Sequence, residues 1–309
     1  MGPFSRCLSI LIYHRVLAEP DPLAPYEVCA AEFDWQLEVL KRWFTVLPLR
    51  EAAARLREGT LPVRSACVTF DDGYADNATV ALPILRRRAV PATFFVATSF
   101  LDGGRMWNDS VIETVRNARG EELDARSLAL GSLEISTPGL KRRAIGKVLD
   151  ALKYLPQEER QQRVELLAAE VPGELPSDLM MTVDQVRQLH ASEMEIGAHT
   201  VTHPILAALD AKRASAEIGD GKRRLEEITG APVRVFAYPN GKPGRDYGRE
   251  HVAMVEDLEF EAAVSTAWGV GHAASDRYQL PRFTPWDRTP GKFALRLLQN
   301  TFRTREDRV

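Results

Sequence analysis

Seven short apolar runs, separated by stretches of helical periodicity, constrain this chain more than any other feature. They are Leu8–Tyr13, Ala66–Phe70, Ala92–Ala97, Met194–Ala198, Val233–Tyr238, Ala262–Thr266 and Gln279–Phe283. Short apolar runs alternating with amphipathic helices are the pattern of an α/β domain with parallel strands. Phe33, Leu37, Leu40 and Phe44 recur at helical spacing, as do Val80, Ile84 and Leu85 before the break at Pro91. Ala211 to Thr229 is charge-rich and helical, with Gly230 placed as its C-cap. From about Asp109 to Gln188 the rhythm stops. Only helical periodicity remains there (Val164, Leu167, Ala168), broken at Pro172 and Pro176. This predicts a helical insertion at about 109–188 within one domain spanning residues 1–309, rather than a second domain.

Composition removes several classes of function. A chain of 309 residues buries one large core or two modest ones. Its 45% hydrophobic and 27% charged residues exclude disorder and low complexity. A net charge of −3 leaves no basic stripe for a phosphate backbone, so nucleic acid is not an expected partner. Cys7, Cys29 and Cys67 are odd in number and widely spaced, which fits small core residues better than a disulfide framework or a thiolate zinc site. No uncharged run approaches the roughly 18–20 apolar residues of a membrane span. His14 and Arg15 interrupt the first apolar run before an export signal is complete. A cytoplasmic location is expected, or an exported one if a leader has been trimmed. Nothing in the sequence speaks to oligomeric state.

Four places carry chemistry. In Val68-Thr69-Phe70-Asp71-Asp72-Gly73-Tyr74 an apolar strand ends in two adjacent carboxylates. Neighbouring ionised carboxylates repel, and a charge at a buried strand end is costly, so a positive partner is expected there. A helix N-cap at Asp72 is the plainer alternative. In His199-Thr200-Val201-Thr202-His203-Pro204 the two histidines share a face if the segment turns helically after its strand, so one ion can meet both imidazoles. Oxygen from Asp72 with nitrogen from His199 and His203 makes an Asp-His-His set with positions open for water and substrate, the arrangement of a catalytic site. Such a set suits zinc, iron, cobalt or nickel. Arg234-Val235-Phe236-Ala237-Tyr238-Pro239-Asn240-Gly241 ends in a tight-turn signal, and its arginine is a candidate partner for a free carboxylate beside the metal. Finally, His14 closes the first strand in Leu11-Ile12-Tyr13-His14, which in a parallel barrel places it on the rim where active sites gather. A structural role for this lone histidine is the alternative.

These motifs resemble, in order and separation, the first three motifs of the polysaccharide deacetylases, the NodB-homology or carbohydrate esterase family 4 enzymes. The resemblance covers about Leu8 to Phe283. It implies a distorted (β/α)7 barrel with a helical insertion and a divalent metal, commonly zinc. It makes Asp71 the general base and Asp72, His199 and His203 the metal ligands. Arg234 would orient Asp71, the turn at Asn240 would offer a backbone N–H to the oxyanion, and Tyr238 beside that turn would contact the substrate. The family's late Leu-x-His, source of its general acid, is not obvious here. A circularly permuted branch places that histidine in an N-terminal strand, so His14 is preferred and His272 is the fallback. The aspartate-tryptophan motif is missing in its usual form, and Trp268 either replaces its aromatic wall or is ordinary packing. The implied activity is metal-dependent removal of N-acetyl groups from an acetamido sugar in a polysaccharide or glycan precursor. Hydrolysis of another linear amide on the same barrel, and a carbohydrate-binding pseudoenzyme, are the rival readings.

Overall fold

A computed structural model of the chain describes residues 6–302 and 307–309. Each of the seven apolar runs holds a strand: β1 (Leu8–Tyr13), β2 (Ser65–Phe70), β3 (Thr93–Val96), β4 (Glu195–Ala198), β5 (Val235–Ala237), β6 (Ala262–Trp268) and β7 (Leu280–Arg282). They pair in parallel in chain order. The two outer strands meet through a bridge between Leu11 and Phe283, where Phe283 N–H donates to Ile10 O at 3.0 Å and Ile12 N–H to Phe283 O at 3.1 Å. The fold is a distorted (β/α)7 barrel, irregular where the β6–β7 register shifts between Val264 and Trp268.

Alternation along each strand sorts the side chains into two layers. Leu8, Ile10, Cys67, Phe95, Val235, Ala237, Val264 and Leu280 form the barrel interior, packed with Leu49, Ala52 and Leu56 of the Leu49–Arg57 helix. Leu11, Val68, Phe70, Phe94, Val96 and Phe236 face outward onto the surrounding helices. The interior is filled: a Cβ on Gly197 of β4 would come within 2.4 Å of the Phe95 ring. The same alternation, carried past the strand ends, turns Asp71, His14, His199 and Arg282 toward the interior at the C-terminal rim. Cys7, Cys29 and Cys67 are all buried.

The Ala30–Trp43 helix buries Phe33, Leu37 and Leu40, as their spacing predicts. The helix predicted around Val80, Ile84 and Leu85 opens with a π-helical stretch, Asn77–Ala81, before the α-helix Leu82–Arg88. It stops at Ala89 (φ +48°), ahead of Pro91. Gly230 (φ +68°) caps the Ala211–Thr229 helix.

A second compact unit comprises Pro20–Pro25 and Gly103–Met180, with its own core of Val111, Val115, Leu123, Leu133, Val148 and Leu167. It contains the helices Trp107–Asn117, Pro138–Leu152 and Gln157–Ala169. It is not purely helical, because Glu122–Asp124 and Ser132–Glu134 pair as an antiparallel hairpin. These strands are three residues each, too short to show alternation against helical neighbours. The expected boundary near Gln188 is also late, since the Val183–Ala191 helix belongs to the barrel unit. Among the described residues no helix is long and apolar enough to cross a membrane.

Candidate active site

The chain leaves β2 with Asp71 still in the ladder, its N–H donating to Tyr13 O at 2.9 Å. Asp72 (φ +75°) and Gly73 (φ +91°) then reverse it in left-handed conformation. Two carboxylates that alternation would point apart are brought to one site by this turn. A non-glycine residue held at positive φ is a strained position of the kind found at functional sites.

Asp71 is answered by an arginine, but not the expected one. Arg282, 1% exposed at the end of β7, donates from both Nη atoms to the two Asp71 carboxylate oxygens at 2.7 Å each. Its Nε–H donates to Ser265 O at 2.9 Å, and Nη1 also reaches Thr69 Oγ1 at 3.2 Å. Burial pushes the Asp71 carboxyl up, but the Arg282 guanidinium, with His199 and His14, outweighs it and holds the group below the usual carboxylate range. Arg234 does not orient Asp71. It precedes β5 and so lies at the N-terminal end of its strand, with Nη1 donating to Glu259 O at 3.3 Å and Nε 3.8 Å from Glu261. The missed signal was Arg282 itself, a charge inside the apolar run Gln279–Phe283 at the correct strand end.

Asp72, His199 and His203 converge, with ligand atoms all within 4.8 Å of one another. Asp72 Oδ1 lies 3.4 Å from His199 Nε2 and 3.3 Å from His203 Nε2, yet this buried oxygen has no hydrogen-bond partner. The reason lies behind His199. Its Nδ1 is 2.7 Å from Ala237 O, which can only accept, so Nδ1 carries a proton and Nε2 is the nitrogen left to face Asp72 and to serve as a metal ligand. Facing lone pairs in a buried site call for a cation, and an oxygen with two imidazole nitrogens suits a divalent one. Burial lowers His203 to about 4 against the opposing pull of Asp72, which keeps its ring a neutral ligand. Burial would raise Asp72, but the positive charge that His203 and His199 carry when protonated outweighs it and holds the carboxyl well below the ordinary range.

The two histidines do not share a helical face as predicted. Residues 199–203 form an irregular turn with Thr200 (φ +67°) and His203 (φ +54°) left-handed. A residue outside every motif clamps this turn. Glu217 of the Ala211–Thr229 helix accepts from Val201 N–H at 2.9 Å, Thr202 N–H at 2.8 Å and Thr202 Oγ1 at 2.7 Å. The helix comes so close that a Cβ on Gly221 would sit 2.8 Å from the Thr200 backbone. Glu217→Ala is expected to weaken divalent-cation binding at this candidate site by about 10–100-fold, the usual scale for outer-shell partners. Titration of the metal-free protein against a fluorescent chelator measures this, and unchanged affinity would refute the clamp.

His14 lies just past β1, partly buried. Burial disfavours its charged form, but Asp72, Asp71 and Glu27 prevail and raise its pKa above the ordinary value. His272 is at the opposite end of the barrel: Gly271 beside it pairs with Leu8, the first residue of β1. Six strand residues at about 3.3 Å each separate that end from His14, so the fallback is excluded by distance. Asn240 (φ +58°) forms the turn after β5, its carbonyl accepting from Thr266 Oγ1 at 2.7 Å. Among the described residues its own N–H donates to no protein acceptor. Tyr238 is not a substrate contact. It is fully buried in the helix-facing layer, stacked on Tyr247 with ring centroids 3.8 Å apart, because alternation points it away from the interior. Trp268 ends β6, donating Nε1–H to Asn300 Oδ1 at 3.2 Å and meeting the half-exposed Trp286 edge to face at 5.3 Å.

Comparison with known proteins agrees with this fold. The family profile described as polysaccharide deacetylase matches residues 58–263. A Bacillus subtilis (strain 168) protein, YxkH, whose assignment as a polysaccharide deacetylase is itself provisional, is 20% identical over 276 residues, covering 89% of this chain and 70% of that one. The Streptococcus pyogenes deacetylase PplD, solved in complex with acetate, superposes with a TM-score of 0.64 at 21% identity, over 95% of this chain and 97% of that one. IcaB from Ammonifex degensii gives 0.62 at 19% identity, over 95% and 98%. At such identities the structural likeness speaks for the fold alone.

Proposed function

The chain belongs to the polysaccharide deacetylase family, and from that premise we propose that it is a metal-dependent hydrolase removing N-acetyl groups from an acetamido sugar in a polysaccharide or glycan precursor. The observation that carries this reading is the unpartnered Asp72 Oδ1 between two imidazoles, beside a second carboxylate held ionised by Arg282. Asp72, His199 and His203 would hold the cation, zinc being the first candidate and iron, cobalt or nickel the others. A bound divalent cation supplies Lewis-acid polarisation of the acetyl carbonyl and a lowered pKa for water.

The chain's own groups do the rest. Asp71, ionised and fixed by two hydrogen bonds, accepts the proton of the attacking water. The Asn240 N–H is the candidate donor to the oxyanion. His14, whose surroundings favour imidazolium, protonates the departing nitrogen, leaving free amine and acetate. Trp268 would stand beside the sugar.

Asp71→Asn keeps size and metal ligands but removes the base. Acetate release from chitooligosaccharides should fall by about 10²–10⁴-fold, with metal content unchanged. Near wild-type turnover in that variant would eliminate Asp71 as base. A metal-loaded protein that releases acetate from no N-acetylated sugar would redirect the reading to another amide.

A further inference from the structure

His14 stands just past the last residue of β1, where the path of its main chain sets the position of its imidazole. Two consecutive residues from the segment after the Asp71-Asp72 turn grip that main chain. Asn77, fully buried, donates from Nδ2 to His14 O at 2.9 Å. Asp76 accepts from Val16 N–H at 3.1 Å and from Arg15 Nε at 2.7 Å. Asn77 also donates to Asp76 Oδ1 at 3.3 Å, so the pair forms one clasp across residues 14–16. The clasp begins where the helix is abnormal: Asn77 opens the π-helical stretch Asn77–Ala81. Single wide turns of this kind are uncommon and concentrate at functional sites. Asn77 Oδ1 has no partner, so the residue is held in the interior for its donor alone. A leucine there would leave no such orphan.

We propose that Asn77 is a positioning residue for His14, tying the carbonyl of the general acid to the same segment that carries the base and the metal-ligating carboxylate. The proposal rests on the reading of His14 as general acid. Proton donation to an amine leaving group is sensitive to displacement of about 1 Å, which can lower turnover by about 10²-fold.

The test exploits leaving-group chemistry. An amide nitrogen must be protonated as it departs, whereas 4-nitrophenolate leaves from 4-nitrophenyl acetate without a proton. Asn77→Ala and Asn77→Leu both remove the donor, the second while keeping volume, and are compared with His14→Ala and with Asn77→Ala/His14→Ala. The expected result is a kcat for acetate release from chitooligosaccharides about 10²-fold lower in both Asn77 variants, with 4-nitrophenyl acetate turnover and zinc content unchanged, and no further loss on the His14→Ala background. Equal losses on both substrates, or losses that add to that of His14→Ala, would show a merely structural role and overturn the proposal. If His14→Ala is crippled and the Asn77 variants are not, the proposal alone fails. If His14→Ala itself deacetylates at the wild-type rate, the general-acid reading fails and takes the proposal with it.

Discussion

Asp72→Asn is expected to abolish zinc uptake and acetate release while leaving the metal-free protein at least as stable as wild type. The metal-free site sets Asp72 Oδ1 against two imidazole nitrogens without a hydrogen bond to either. Asparagine fits the same space, tolerates the left-handed backbone at this position, and turns an acceptor into a donor that either Nε2 can use. A buried orphan oxygen costs about 1–3 kcal/mol, and the substitution removes that cost together with the charge that attracts the cation. Wild-type protein should therefore melt higher when zinc is added, by about 2.7 kcal/mol of stabilisation at a hundredfold excess over Kd, and the variant should not respond. Calorimetry with and without chelator reads both quantities. A variant that is severely destabilised without metal, or that still gains stability from zinc, would mean that Asp72 serves the fold rather than an ion.

The barrel was legible because its strands are short apolar runs with helices between them, and period-two alternation then fixes which residues meet at the rim. Asp71, Asp72 and His199 could be placed because each stands just beyond a strand end, and His203 because its spacing from His199 suits a shared ion. Arg234 misled for the same reason in reverse. It precedes its strand, and in a parallel barrel that puts it at the far rim, where Glu259 and Glu261 engage it. Tyr238 misled because proximity to the Asn240 turn says nothing about side-chain direction, whereas its parity with Phe236 does. Glu217 was out of reach of any local pattern. Its three hydrogen bonds to the His199–His203 turn depend on a helix passing close enough to exclude a Cβ at Gly221, and that approach is a tertiary fact. The hairpin at Glu122–Asp124 and Ser132–Glu134 hid for a different reason, since three-residue strands carry no period.

Arg282→Met should be the most destabilising single change at the site, by about 3–5 kcal/mol near neutral pH, because it leaves a buried carboxylate without its partner. Methionine fills much of the volume over Phe95 but supplies none of the donors now given to Asp71, Thr69 and Ser265. Arg282→Lys keeps a charge but not the paired geometry, and should fall between. The pH dependence has a definite sign. In the metal-free wild type Asp71 is held below its ordinary value, so its contribution is complete above the unfolded carboxyl pKa of about 3.9 and is lost as pH falls through the folded value. Without Arg282, burial raises Asp71, and the variant instead recovers stability as acid neutralises the carboxyl. The penalty should accordingly be smaller near pH 5 than near pH 7 in chelator-treated protein, and smaller again in Arg282→Met/Asp71→Asn, where no charge is stranded. Arg234→Ala, at the other rim and partly exposed, should stay within about 0.5 kcal/mol of wild type and keep its activity. Denaturant titration of the four variants at two pH values decides the matter: a pH-independent penalty for Arg282→Met would mean that the arginine acts by packing, and a loss of activity in Arg234→Ala would return the orienting role to the residue the motif first suggested.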